Sequence, residues 1–303
     1  MTLMKPHFRT LTLALTALLL IPLASCGKDK PTPTPPDPQP AKREDIIGKV
    51  HLVTMINFDK EGKIDSRHTL TLDKQLRFSR ILTESFENEK FSPVFDTEYT
   101  YDDSGHLIEV KFHEAGFGWD YKRYYKRYKY KDGLLVQFED LPSAKGATKS
   151  ITQYTYGPDR KKKSGIYIYA YNQTDGTHYL SYSYEGEVEV EAIYSDPERK
   201  NLIGRNKRTY DKEGRMTKEV ITEIKLDKGK ETITYSRSHE VRFGVFGEEI
   251  YTEDVSQYSD GKVTRDWREI RYTKYNALGL PIAGFLIDEK GVQLPLTLEY
   301  TLY

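Results

Sequence analysis

An aromatic-ended strand running into an acidic, glycine-bearing turn recurs along this chain, and no other feature limits so strongly what it can fold into. The fullest copy is Tyr99-Thr100-Tyr101-Asp102-Asp103-Ser104-Gly105-His106-Leu107. Alternating aromatics end a strand, Asp102 hydrogen-bonds through its side chain to the backbone ahead of it, and Gly105 takes the positive φ of a short hairpin loop with a bulge. Leu107 starts the return strand. Further strands end at Tyr128-Lys129-Tyr130, Tyr154-Thr155-Tyr156, Tyr182-Ser183-Tyr184 and Arg208-Thr209-Tyr210, so the last tyrosines lie 29, 26, 28 and 26 residues apart. That spacing fits two strands and two turns per unit, repeated. Weaker turns follow at Leu226-Asp227-Lys228-Gly229, Tyr258-Ser259-Asp260-Gly261, Tyr275-Asn276-Ala277-Leu278-Gly279 and Asp288-Glu289-Lys290-Gly291.

Between turns the period is two. Ile108, Val110 and Phe112 oppose Glu109 and Lys111; Val188, Val190, Ala192 and Tyr194 oppose Glu187, Glu189 and Glu191; Val220, Thr222, Ile224 and Leu226 oppose Glu219, Glu223 and Lys225. Such strands are expected to bury the apolar face and wet the charged one. No stretch after Pro40 carries a long helical period, so a parallel βαβ architecture is not expected. The expected fold is all-β: an extended antiparallel up-and-down meander of 14 to 20 strands, at roughly 5 to 10 residues each, curled into an open or closed barrel-like sheet over residues 46–303.

The N-terminus reads differently. Lys5 and Arg9 precede an apolar run from Leu11 to Leu23, the arrangement of a secretory signal and shorter than the roughly 20 residues of a spanning helix. Residues 1–25 are read as that signal. The run closes on Leu23-Ala24-Ser25-Cys26, which resembles the lipobox of bacterial lipoproteins and implies lipidation of Cys26. Pro31-Thr32-Pro33-Thr34-Pro35-Pro36-Asp37-Pro38-Gln39-Pro40 makes residues 26–45 a stiff spacer of about 3 Å per residue. Charged residues directly after the cysteine resemble the surface-export signals of Bacteroidota lipoproteins, which implies an outer-membrane protein at the cell surface ahead of the periplasmic face.

The turns Tyr101-Asp102-Asp103-Ser104-Gly105, Tyr210-Asp211-Lys212-Glu213-Gly214 and Tyr275-Asn276-Ala277-Leu278-Gly279 resemble the YD repeats of Rhs-type shell proteins. With lipobox and spacer they resemble an uncharacterised family of Bacteroidota lipoproteins with a porin-like, all-β fold. The resemblance implies a hairpin repeat and a lipid anchor, not an activity, and the repeats are too few to enclose a toxin. A membrane-embedded barrel is not expected, because Lys122-Arg123-Tyr124-Tyr125-Lys126-Arg127-Tyr128-Lys129-Tyr130-Lys131 carries cations on both faces of one strand.

Chemistry leaves few traces. The chain has 46 basic and 46 acidic residues; without Lys5 and Arg9 the balance is 44 against 46, or −2. Nucleic acid is not an expected partner of such a chain. A single cysteine excludes an internal disulfide and a multi-cysteine metal centre. His113-Glu114 and His239-Glu240 lack the second histidine of a zinc helix, and no phosphate loop or nucleophile elbow occurs. Neither catalytic nor metal residues are assigned and no cofactor is expected. Glu187, Glu189 and Glu191 are read as a solvated acidic stripe. All 24 tyrosines lie at or after Tyr99, where they suit half-buried sheet and would also serve as a stacking surface. Trp119 and Tyr121, in a glycine-loosened turn, and Arg123, in the basic strand beside it, are the candidate contacts for a glycan or protein at the cell surface.

The expected function is therefore a binding or structural module with no enzymatic activity. Two alternatives have defined signatures. A polysaccharide hydrolase needs two acids converging in a cleft, and a haem or small-ligand carrier needs an apolar cavity of several hundred Å³ inside a closed barrel.

Overall fold

A computed structural model describes residues 39–114, 122–142, 149–171, 174–227 and 229–303. A single helical turn, α1 (Arg43–Ile46), precedes the first strands, β1 (Val50–Phe58), β2 (Ile64–Leu72), β3 (Phe78–Glu87), β4 (Lys90–Tyr101), β5 (Leu107–Glu114) and β6 (Lys122–Lys131). The middle of the chain supplies β7 (Leu134–Pro142), β8 (Lys149–Tyr156), β9 (Lys162–Tyr171), β10 (Thr174–Glu185), β11 (Val188–Tyr194) and β12 (Leu202–Tyr210). The last six are β13 (Met216–Asp227), β14 (Lys230–Phe243), β15 (Glu249–Tyr258), β16 (Val263–Tyr275), β17 (Pro281–Ile287) and β18 (Gln293–Leu302).

Every strand pairs antiparallel with its sequence neighbours, and β18 returns to pair with β1, so the 18 strands form a closed up-and-down barrel. Closure runs through Met55 opposite Leu298 and Val53 opposite Tyr300. It leaves no unpaired edge among the described strands, which removes the template for edge-to-edge aggregation. The open alternative is thereby settled. No helix among the described residues is long and apolar enough to cross a membrane.

The five-residue turns led by Asp59, Asp73, Asp102, Asp211, Asn276 and Asp288 share one geometry, whereas Asp132-Gly133 and Gly186-Glu187 close two-residue hairpins. In the β4–β5 turn Gly105 N donates to Asp102 O (2.9 Å), Asp102 N donates to His106 O (2.9 Å), and the pairing slips by one residue at Tyr101. Gly105 has a φ of 87°, which the missing Cβ permits. The aspartate oxygen caps the loop: Asp211 Oδ1 accepts from Glu213 N and Arg215 N, both at 2.9 Å, and Asn276 Oδ1 serves Leu278 N and Leu280 N in the same way. In the β2–β3 turn Leu76 holds the left-handed position with φ 57°. That strain is offset because its side chain is buried and its carbonyl accepts Arg43 Nη2 at 2.7 Å.

These turns also lock neighbouring units together at one end of the barrel. Arg77 Nε donates to Asp73 Oδ2 (2.6 Å) while its guanidinium lies 4.4 Å from the ring centre of Tyr101, which ends the next unit. His106 repeats the pattern, with Nδ1 3.1 Å from Asp102 Oδ2 and its ring stacked 4.6 Å from Tyr130. Arg215 pairs with Asp211 and covers Phe243 at 4.4 Å. The aromatic that ends one repeat is thus the seat for the Arg or His side chain of the repeat before it, which couples repeats as nearest neighbours.

At that same end residues 40–49, the end of the expected spacer and the start of the expected domain, dock against the barrel. Ala41 N donates to Gly279 O (2.9 Å), Arg43 Nη1 to Val245 O (3.2 Å), and Tyr303 N to Lys49 O (3.1 Å). Ile46 from α1 then packs with Leu72, Leu76, Phe246, Leu280, Leu296 and Leu298 into one apolar plug. Each such side chain contributes about 1.5 to 3 kcal/mol on burial.

Candidate functional site

Below the plug lies a chamber of about 380 Å³. Its wall comes from inward positions of six strands around the closure, β16, β17 and β1 to β4, and its ceiling from the β14–β15 turn. Met55, Leu70, Ile81, Ile270 and Leu286 make the apolar wall, and Phe78, Tyr99 and Phe243 close it near the plug. Asn57, His68 and Arg268 supply a polar side.

The ceiling turn departs from its siblings. Gly244 N pairs with Glu248 O (2.7 Å) and Gly247 N with Gly244 O (3.1 Å), the same frame as the aspartate turns, yet glycine stands where Asp73, Asp102 and Asp211 supply the capping carboxylate. Glu248 replaces it from the opposite end of the loop. Its Oε2 accepts from Phe246 N at 2.9 Å, and a Cβ on Gly244 would overlap the Glu248 carboxylate. Tyr272 donates its hydroxyl to Glu248 Oε1 at 2.7 Å. Burial pushes the Glu248 carboxyl above the ordinary range, against the hydrogen bonds from Tyr272 and the backbone.

On the polar side, His68 Nδ1 lies 3.0 Å from Thr83 Oγ1 across the β2–β3 pairing. Burial, and then the charge of Arg268, hold His68 below its ordinary value, so the imidazole is neutral at pH 7. Arg268 donates from Nε to Thr252 Oγ1 (3.2 Å), and its Nη2 is 3.6 Å from Glu249. Burial raises the Tyr99 hydroxyl to about 12.

A second inward cluster sits on β8 to β13, and it corrects the sequence reading of the acidic stripe. Glu189 and Glu191 are 6% and 7% exposed and face into the barrel, while Val188, Val190, Ala192 and Tyr194 take the outward positions. Arg208 donates to Glu219 (2.7 Å) and Glu191 (3.1 Å) and reaches Glu189 at 3.5 Å; Lys162 adds a 3.1 Å pair to Glu189. Asn206 and Tyr182 also donate to Glu191. Burial opposes ionisation of Glu191, but Arg208 and these donors outweigh it and hold the carboxyl below its usual range. The expectation failed because alternation fixes which residues share a face, not which face is the inside. Glu219 likewise faces inward, and Val220 and Thr222 outward; on β5 the apolar residues Val110 and Phe112 do face in, beside Tyr99 and Tyr124.

The residues singled out in sequence scatter. Cys26, Trp119 and Tyr121 lie outside the described residues, and Arg123 is placed only by its backbone, opposite His113 on β5. His106 belongs to a turn, and His113 stands opposite Asp96 on the outward face. Sequence reasoning missed His68, Arg268 and Glu248. Some 200 residues separate the first two, and the signal available for the third was a turn with its acid at the wrong end.

Fold and chamber define a closed antiparallel β-barrel with a plugged end. No protein-family model matches the chain, and no curated protein matches it. Solved structures similar to it include a porin-like protein from Bacteroides uniformis, 8% identical over 84% of this chain and 98% of that one, with a TM-score of 0.32. The crystal structure of TcdB2-TccC3-TEV is 12% identical over 80% of this chain, with a TM-score of 0.24; the Photorhabdus luminescens Tc holotoxin pore is 11% identical over 80%, with a TM-score of 0.23. The chain spans 15% of the length of those two toxin chains. These likenesses are too low to carry an argument, and the barrel rests on its strand pairing.

Proposed function

We propose that the chain is an exported, non-enzymatic binding protein of the outer membrane, a YD-repeat barrel folded in water and tethered through lipidated Cys26 on its proline spacer. One observation carries the reading, the hydrated character of the outward wall. Cross-strand ion pairs occupy outward positions around the ring: Arg80 with Asp96 (2.7 Å), Arg127 with Glu109 (2.9 Å), Lys129 with Glu139 (2.6 Å), Lys207 with Glu185 (2.8 Å), and Arg265 with Glu253. A lipid-facing wall would carry each Arg or Lys near mid-membrane at a cost of about 2 to 4 kcal/mol. In water the same pairs are close to neutral. Binding is favoured over hydrolysis because the converging acids Glu189 and Glu191 are saturated by Arg208, Lys162, Tyr182 and Asn206.

Exchanging residues 1–26 for an ordinary secretory signal tests the tether. The exchanged protein is expected in the detergent-free soluble fraction, whereas the native one fractionates with membranes and incorporates labelled palmitate, which Cys26→Ala abolishes. An exchanged protein that still requires detergent would overturn the hydrated barrel. Added protease on intact cells then decides the side: rapid cleavage is expected for the cell surface, and survival until permeabilisation would place the barrel in the periplasm.

A further inference from the structure

The chamber is not explained by the packing around it. Aliphatic walls around about 380 Å³ hold water poorly, and an empty space of that size is destabilising, so a fold that keeps it open invites an occupant. Its volume falls within the range of small-molecule sites, roughly 300 to 1,000 Å³. The β8 to β13 cluster does not offer this, because its own ion pairs fill it.

The wall is polarised. Met55, Leu70, Ile81, Ile270 and Leu286 present carbon, while His68 and Arg268 stand together on one side, close enough for the arginine charge to bear on the imidazole. The guanidinium spends Nε on Thr252 and Nη2 on a loose 3.6 Å contact with Glu249; among the described residues Nη1 enters no hydrogen bond or ion pair. With its side chain 64% exposed, Arg268 lies where the chamber meets solvent. His68 spends Nδ1 on Thr83, so Nε2 is its remaining polar atom. The charged groups facing His68 are Arg268 and Asp65, the first lowering and the second raising its affinity for a proton.

We propose that the chamber binds one small amphiphile with an anionic head, a medium-chain carboxylate being the simplest, its tail under the plug and its head between Arg268 and His68. An arginine fork matches a carboxylate in shape as well as charge. A neutral imidazole beside it donates one hydrogen bond, and the arriving anion raises its affinity for a proton. Binding near pH 6 therefore takes up part of a proton. The proposal deepens the binding reading above but not the tether, whose failure would show as insolubility before any ligand is added.

The test uses the secreted, unacylated mature chain titrated with dodecanoate, by calorimetry and by displacement of the fluorescent cis-parinarate. One dodecanoate per chain is expected. Leu286→Trp, which fills the chamber, is expected to weaken binding at least tenfold, with Ile81→Phe as the substitute if that variant does not fold. Arg268→Leu is expected to weaken dodecanoate about tenfold and leave dodecanol unchanged. Heats at pH 6.2 in buffers of different ionisation enthalpy should report proton uptake that His68→Gln abolishes. Absence of dodecanoate binding by the folded wild type would overturn the proposal, as would binding that ignores both the filling variants and Arg268→Leu.

Discussion

From β16 through the closure to β3 the inward positions, apart from the chamber's polar side at Asn57, His68 and Arg268, include Ile270, Leu286, Leu296, Leu298, Val53, Met55, Leu70 and Ile81, whereas from β8 to β12 they include Thr152, Tyr154, Tyr182, Glu191, Glu189, Asn206 and Arg208. Both arcs are built from antiparallel hairpins, but the filling differs. On the first arc the chain supplies its own cover, because residues 40–49 and the β14–β15 turn reach across it and Phe246 packs on Tyr300 at 5.6 Å. The second arc satisfies itself sideways, with Lys162 sitting 5.1 Å from the ring centre of Tyr154 and 5.5 Å from that of Tyr182. An aliphatic wall can be closed by anything apolar that reaches it; a charged wall must bring its counterions on neighbouring strands, at register positions that match.

The comparison breaks most readily at Arg208. Arg208→Leu leaves Glu189, Glu191 and Glu219 facing one another in a buried setting, and a loss of about 3 to 5 kcal/mol is expected in denaturant melts. On the apolar arc Leu72→Ala is expected to cost about 3 kcal/mol, and its residual cavity should be partly rescued by small apolar solutes. An Arg208 effect below that of Leu72 would mean that the polar arc is wet and its pairs dispensable.

Acid titration sharpens the contrast because the two buried acids shift in opposite directions. The Glu191 carboxyl is held low in the fold, so its contribution is present above the unfolded carboxylate value of about 4.3 and is lost as pH falls through the folded one. Glu248 is held high, so its contribution is present below about 4.3 and is lost as pH rises through the folded value. Melting temperatures should accordingly show Glu191→Gln destabilised at pH 7, with the gap to wild type narrowing as pH falls below the unfolded carboxylate value of about 4.3. Glu248→Gln should gain on wild type as pH rises above about 4.3. Parallel profiles for the two variants would refute the difference between the arcs.

Smaller effects belong to the rim that both arcs share. Asp102→Ala removes the cap of its turn and the partner of His106, and a small drop in melting temperature is expected. Arg77→Ala, which uncovers Tyr101, should cost about 0.5 to 1 kcal/mol and add less than its sum with Asp73→Ala, because the two act as one unit. Arg80→Ala on the outward wall should fall at or below about 1 kcal/mol, and less at high salt.

Much of the hairpin architecture was legible in the chain. Asp102 and Gly105 sit in the turn their chemistry demands, and a strand number between 14 and 20 brackets the 18 that form. The wall facing was legible on β5, where apolar residues do face inward, and misleading on β11, where acids face inward and valines outward. Hydropathy alone could not separate these cases, since a wide barrel has room for a polar interior provided every charge there finds a partner. The chamber was less legible still. Its Met55, His68 and Arg268 stand on strands brought together only when β18 meets β1, and its Glu248 caps a loop whose first residue is Gly244.

Sequence by itself determined what depends on a few consecutive residues: where strands end, which turn joins them, and that side chains alternate between two faces. Tertiary structure decided which face became the interior, where the plug seats and where a chamber stays open. Those outcomes hang on one non-local event, the pairing of Val50–Phe58 with Gln293–Leu302. Closing the ring gives the sheet an inside, and burial and charge pairing acquire a direction only from that point.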